Sequence, residues 1–211
     1  MVARPKRWEF MPPAPAEHLA AFPDLSPLVV QLLYNRQIRT PDEVETFLDK
    51  RVVLGNPFRL KGMNEAVTRL RQAIRAGEKI AVYGDYDADG VTATALLVST
   101  LEALGAQVIP YIPSRKDEGY GLNNAALKKL AEQGTRVVVT VDCGIRAVEQ
   151  VAFARGLGLD MIITDHHIPP DDLPSAIAVI DPKRQDASYP YKHLAGVGLA
   201  FRLAQGLLRA E

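Results

Sequence analysis

The spacing of hydrophobic positions changes near residue 79. Before it the period is helical. From Glu17 to about Arg75, apolar residues recur three and four apart, with start and stop signals between them. Ser26-Pro27 opens a helix over LVVQLLYNRQ. Thr40-Pro41-Asp42-Glu43 is a capping box with Pro at the first helical position, which predicts a short helix over 41–49. Asn64 is placed to cap NEAVTRLRQAIRAG, where Val67, Leu70 and Ile74 share one face and Gly77 ends the helix. Residues 50–62, with Gly55, Pro57 and Gly62, read as a linker. Residues 1–15, rich in Pro and charge, read as a surface wrap.

After residue 79 the apolar runs are short, β-branched and hydrophobic on both faces: KIAVYG, VIPYIP, RVVVTV, DMIIT and AIAVI. Such runs suit strands covered on both sides. Helical stretches lie between most of them: VTATALLVSTLEALG, NNAALKKLAEQG and RAVEQVAFARGLG. A last helix, VGLAFRLAQGLLRA, closes the chain. Alternation of strand and helix predicts an α/β fold with a five-stranded parallel sheet and right-handed crossovers. The expected organisation is an amino-terminal helical lobe and linker over 1–78, followed by an α/β core over 79–211.

Composition narrows the class. With 47% hydrophobic and 24% charged residues, the 211-residue chain is neither a disordered tail, a collagen-like fibre nor a disulfide scaffold. A single cysteine, Cys143, cannot bridge internally, which favours a reducing compartment. No apolar run approaches the roughly 20 residues of a membrane helix, and no apolar stretch follows the basic MVARPKRWEF. A cytoplasmic protein without membrane contact is the expectation. Net charge is zero, but unevenly spread: residues 1–80 hold 13 basic and 9 acidic residues, and residues 81–211 hold 12 and 16. An acidic body is either a solvated surface or a place for divalent cations.

The acidic residues choose between these. In open parallel sheets, ligands bind beyond the carboxyl ends of the strands. KIAVYG is followed by Asp85-Tyr86-Asp87-Ala88-Asp89-Gly90, RVVVTV by Asp142, DMIIT by Asp165-His166-His167, and AIAVI by Asp181-Pro182. Six of the 14 aspartates and two of the four histidines therefore face one sheet edge. Aspartate is also an ordinary turn and cap residue, and Asp181 before Pro182 reads that way. Turn chemistry accounts neither for three alternating carboxylates nor for an adjacent His pair. Clustered buried carboxylates cost several kcal/mol each without compensation. Oxygen donors with imidazole and no thiolate suit Mn²⁺ or Mg²⁺ better than structural zinc.

Two other chemistries fail. Asp85-x-Asp87-x-Asp89-Gly90 matches the start of an EF-hand calcium loop, but the twelfth position is Leu96 and a strand precedes the loop. Cys143 beside Asp142 reads as a small buried residue rather than an activated thiol.

Taken together, GDYDADG at 84–90, VDCG at 141–144 and TDHH at 164–167 resemble the three leading motifs of the DHH phosphoesterase superfamily. LLYNRQI at 32–38, PFRLKGMNEAVTRL at 57–70, YIPSRKDEGYGLN at 111–123 and LAGVGLAFRLAQ at 194–205 are similar to its RecJ branch, bacterial single-strand-specific 5′→3′ DNA exonucleases. The resemblance covers nearly the whole chain. It implies hydrolysis of phosphodiester bonds in single-stranded DNA with two metal ions, Mn²⁺ or Mg²⁺, in DNA repair and recombination. Carried over residue by residue, Asp87 and Asp89 take different metals, Asp142 bridges them and His166 joins the second. Asp85 is a further ligand or holds a water. His167 faces the scissile phosphate, and Asp165 orients an imidazole. Single-strand-binding protein and a recombination helicase are the protein partners the resemblance implies.

Arg115, Lys116 and Tyr120, in the loop after the second strand, are candidates to grip phosphate and stack on an unpaired base. Gly196 and Gly198, opening the last helix, offer amides for a phosphate, or simply allow close packing. Two competitors remain open. One is a phosphodiesterase of the same superfamily acting on short oligonucleotides or cyclic dinucleotides; the other is a non-catalytic nucleic-acid-binding subunit. The superfamily's fourth metal motif, an Asp after the last helix, does not occur within these residues. The chain is therefore expected to be an amino-terminal portion of a longer protein, with impaired activity alone.

Overall fold

The computed structural model describes residues 9–48 and 55–209. The start of the expected surface wrap, residue 49 at the end of the predicted 41–49 helix, the linker residues 50–54 and the last two residues lie outside that description. The chain forms two compact units, Met1–Val53 and Leu54–Glu211.

The first unit holds α1 (Ala16–Ala20), α2 (Pro27–Asn35) and α3 (Pro41–Leu48). Ser26 Oγ accepts from Val29 N at 3.3 Å, which starts α2 where the Ser-Pro signal lies. The capping box at α3 is reciprocal: Thr40 Oγ1 accepts from Glu43 N at 3.3 Å, and Glu43 Oε2 accepts from Thr40 N at 3.0 Å. Val30, Leu33 and Val44 are the buried side chains of α2 and α3.

The second unit is a five-stranded sheet of β1 (Lys79–Gly84), β2 (Gln107–Tyr111), β3 (Thr135–Val141), β4 (Asp160–Thr164) and β5 (Ala178–Ile180). All four pairings are parallel, in the order β2-β1-β3-β4-β5. Val82 of β1 lies opposite Pro110 and Val139, and Val139 lies opposite Ile162. Around the sheet stand α4 (Met63–Ala76), α5 (Ala88–Ala103), α6 (Asn124–Glu132), α7 (Val148–Gly156) and α8 (Gly196–Arg209).

Side-chain alternation divides the strands between two cores. Ile80, Val82, Val137, Val139 and Ile162 pack with Leu70 of α4, Leu97 of α5 and Leu203 of α8. Ala81, Tyr83, Val138, Met161 and Ile163 pack with Leu127 of α6 and Val151 of α7. That two-sided burial is why the strands are apolar on both faces. Each fully buried aliphatic side chain contributes about 1.5–3 kcal/mol.

Two features differ from the sequence pattern. The residue capping α4 is Gly62, with φ 86°, and not Asn64. Its backbone lies so close to β5 that a Cβ there would sit 2.8 Å from Val179 O. In addition, α4 and the 55–62 stretch belong to the sheet unit instead of a helical lobe and linker. The α4 face made by Met63, Val67 and Leu70 is buried in the sheet core, and Leu60 with it. Near its start, Gly55 O accepts from Arg202 Nη2 of α8.

The chain leaves β1 for β2 on one side and returns to β3 on the other. The order therefore reverses between β1 and β3, and such a reversal opens a crevice at the strands' carboxyl ends. Asp85 and Asp142 follow those two strands.

Candidate metal centre

The β1–α5 connection folds back on itself. Asp87 caps α5, its Oδ1 accepting from Gly90 N at 3.0 Å. Gly90 is there by necessity, because a Cβ would lie 2.5 Å from Asp85 O. Asp85, 4% exposed, turns its Oδ1 to Tyr86 N at 2.7 Å. Asp89, one residue into α5, reaches across to α8. Its Oδ2 accepts from Gly196 N at 2.7 Å and its Oδ1 from Val197 N at 2.8 Å. A carboxylate bound to the first amides of a helix is favoured by unpaired donors and by the helix dipole.

Asp142 stands at the centre. It is 2% exposed and holds φ at 63°, a left-handed conformation uncommon outside glycine. Its own amide donates to Thr164 O at 3.1 Å, which fixes the turn to β4. Gly196 packs directly on it: a Cβ at Gly196 would sit 2.6 Å from Asp142 Cβ. Asp142 belongs to two sets of potential ligand atoms, each lying within 4.8 Å of one another. One set is Asp85, Asp87 and Asp142, and the other is Asp142, His166 and His167.

His166 Nε2 lies 2.9 Å from Asp142 Oδ1 and 3.5 Å from Asp89 Oδ2. Despite that proximity, Asp142 Oδ1 is buried without a hydrogen bond. An imidazole nitrogen and a carboxylate oxygen this close, with no hydrogen bond of good geometry between them, can share a common third partner. Oxygen and imidazole donors fit Mn²⁺ or Mg²⁺.

Electrostatics agree. Burial pushes the Asp142 carboxyl up to about 7, and the charges of Asp89 and Asp87 push the same way. Burial likewise raises Asp85, against the bond from Tyr86 N. Burial and then His167 lower His166, which keeps its ring neutral and its lone pair available.

Asp165 has another task. Its Oδ2 accepts from Ile145 N at 2.9 Å, and its Oδ1 from the amides of His166 at 2.7 Å and His167 at 3.1 Å. The same Oδ1 is 2.7 Å from His167 Nδ1. A carboxylate can only accept, so Nδ1 carries the proton and Nε2 keeps the lone pair in the neutral ring. Asp181, 1% exposed, follows β5; its Oδ1 accepts from Lys183 N at 2.7 Å and its Oδ2 has no partner.

The substrate candidates divide. Tyr120 packs edge-on to His167 at 6.2 Å and to Tyr86 at 6.5 Å, and the Arg115 guanidinium lies 5.3 Å from the Tyr86 ring centre. Arg115, Tyr86, Tyr120 and His167 therefore form one run leading to the carboxylates, with Lys116 exposed on the same loop. The amide of Gly196 is committed to Asp89, so its glycine answers to packing against Asp142. Gly198 sits with its Cβ position 3.2 Å from Leu194 Cδ2. Sequence reasoning overlooked Tyr86, the spacer between two aspartates. It also overlooked Glu118, which accepts from Tyr111 Oη at 2.5 Å and from Ser114 N at 2.8 Å and so braces the Arg115 loop. Glu118 carries no local signal.

A profile of the DHH family, N-terminal domain, matches residues 79–211. The chain belongs to the DHH family. Within it, the single-stranded-DNA-specific exonuclease RecJ of Bacillus subtilis is 46% identical over 211 residues, covering 99% of this chain and 27% of that protein. The solved structure of exonuclease RecJ bound to manganese is similar at 40% identity and a TM-score of 0.65, covering 70% of this chain and 37% of that one. The structure of RecJ from Thermus thermophilus in complex with Mg²⁺ matches at 32% identity and a TM-score of 0.51, over 90% of this chain and 22% of that one. This DHH chain thus spans about a quarter of the length of its curated relative. Among the described residues, no helix is long and apolar enough to cross a membrane.

Proposed function

We propose that this chain carries the metal-binding part of a RecJ-type exonuclease that hydrolyses single-stranded DNA from the 5′ end with Mn²⁺ or Mg²⁺. The observation that supports it most is Asp142, a buried carboxylate 2.9 Å from His166 Nε2 and shared by both potential ligand sets. In this reading Asp142 would be the ligand shared by two ions, Asp85 and Asp87 would hold one, and His166 with Asp89 the other. Divalent ions there would activate water and neutralise charge developing on the phosphate. Asp165 holds the His167 ring through Nδ1, and a proton at Nε2 as well would let it donate to the scissile phosphate. Arg115, Lys116 and Tyr120 guide the strand, by charge and by stacking. The setting that goes with this reading is a cytoplasmic repair or recombination enzyme, working with single-strand-binding protein and a helicase.

The test is Mn²⁺-dependent release of mononucleotides from a 5′-labelled single strand, over a series of lengths. Activity should persist as the strand lengthens, whereas a phosphodiesterase for dinucleotides would lose it. Asp142→Ala should abolish release. Retention of more than about a tenth of the rate, only about 1.4 kcal/mol of barrier, would contradict the bridging role.

A further inference from the structure

Beside the carboxylates lies a cavity of about 570 Å³ that the metal-centre reading does not use. His167 and Asp165 are among the residues that line it. Ile145 and Gly144 line it next to them, and Tyr120, Leu122 and Ile168 supply apolar walls. Arg146 and Gln150 add polar groups. A volume within the usual few hundred Å³, apolar walls and a few convergent polar groups describe a small-molecule site.

The cavity is built rather than incidental. Arg146 donates from Nε at 3.2 Å and from Nη2 at 3.1 Å to Ile168 O, which pins the segment just after the His pair. On the other side, Tyr83 Oη donates to Gly121 O at 3.0 Å and fixes the backbone next to Tyr120. Gly144 has φ at 106°, and a Cβ there would lie 3.1 Å from Leu122 Cδ1, so the lining has no room for a side chain at that position. The two anchored walls end in large, solvent-facing groups: Tyr120 is 56% and Ile168 69% exposed. Exposed apolar groups lining an ordered cavity mark a surface meant to be covered.

We propose that this cavity receives the nucleobase of a nucleotide flanking the scissile phosphate. His167 decides the occupant, because it lines the cavity and also belongs to a potential metal-ligand set. A ligand with its phosphate at that set and a flat, apolar body in the cavity is a nucleotide. Tyr120 and Ile168 cover the faces of the base, and Gln150 and Arg146 meet polar atoms at its edge. The inference rests on reading the neighbouring carboxylates and histidines as a phosphodiester-hydrolysing centre.

Calorimetric titration with Mn²⁺ present tests it by comparing a deoxynucleoside 5′-monophosphate with 2-deoxyribose 5-phosphate, which keeps the phosphate and lacks the base. The nucleotide should bind about tenfold more tightly, the scale of one stacked base. Ile168→Ser and Gln150→Ala should erase that preference while leaving Mn²⁺ affinity unchanged. Both side chains face solvent or the cavity and neither is a ligand candidate, so Mn²⁺ titration also reports that each variant is folded. Equal affinity of the two ligands for the unaltered protein, or a preference that survives both substitutions, overturns the proposal. Binding of neither ligand overturns it as well. In each case, hydrolysis of an oligonucleotide by the same preparation shows whether the hydrolytic reading stands without the pocket.

Discussion

Adding one methyl group at Gly196 should disable the metal centre while leaving the fold standing. The new Cβ of Gly196→Ala would lie 2.6 Å from Asp142 Cβ, 2.7 Å from Cγ and 2.8 Å from Oδ1. Carbon atoms in contact sit about 3.5–4.0 Å apart, so an overlap of about 1 Å must be relieved. Neither side yields easily. The Asp142 backbone is tied to Thr164 O and already holds φ at 63°. The start of α8 is tied to Asp89 through two amides. Relief therefore either swings the shared carboxylate or lifts the helix off Asp89. Overpacking of this kind costs about 1–3 kcal/mol of stability. Loss of a contact supporting metal ligands costs roughly 10–100-fold in metal affinity. Gly198→Ala is the control, since its nearest neighbour is the flexible end of Leu194 at 3.2 Å. Calorimetric Mn²⁺ titration beside thermal denaturation reads both effects. Wild-type Mn²⁺ affinity in Gly196→Ala, or equal damage from Gly198→Ala, would refute the reasoning.

Three further outcomes follow from the same geometry. The Asp142 carboxyl, raised from 3.8 to about 7, stabilises the metal-free fold fully below about pH 4 and loses that contribution as pH rises through 7. Metal-free melting temperature should therefore fall across that window while Mn²⁺ affinity rises, and an affinity independent of pH would contradict the assignment. Asp181, raised to about 6 by burial, follows the same sign. Asp181→Asn should be near neutral at about pH 3.5 and more stable than wild type at pH 8, by up to about 3 kcal/mol, as read by denaturant titration; a variant less stable at both pH values would show that the charge has a partner. Arg115→Ala should lower the salt slope of single-strand binding by about one, with Mn²⁺ affinity unchanged, and an unaltered slope would assign Arg115 to Tyr86 alone.

Much of the fold was legible because its signals are local. Strand runs such as RVVVTV are apolar on both faces, and the Thr40–Glu43 box and Gly77 mark helix ends within a few residues. The carboxylates were legible because α/β topology sends every strand's end to one edge. What remained hidden depends on pairs far apart in the chain. Asp89 meets the amides of Gly196 and Val197 across 107 and 108 residues. No periodicity encodes that, so the sequence left the glycine open between a phosphate site and close packing. The α4 cap moved from Asn64 to Gly62 because β5 approaches there, and α4 joined the sheet because its apolar stripe fits that core. Arg146 holding Ile168 and Glu118 bracing the Arg115 loop are likewise visible only in three dimensions.

The central claim is that Asp142 is the shared ligand of a divalent-metal centre at the ends of β1, β3 and β4. Anomalous X-ray scattering at the manganese edge, from crystals of this chain soaked in Mn²⁺, tests it directly. The prediction is a peak within about 2.5 Å of an Asp142 oxygen, next to His166 or to Asp85 and Asp87, that disappears in Asp142→Ala. A peak that persists in Asp142→Ala, or no peak at the strand ends of a well-diffracting soaked crystal, would contradict it.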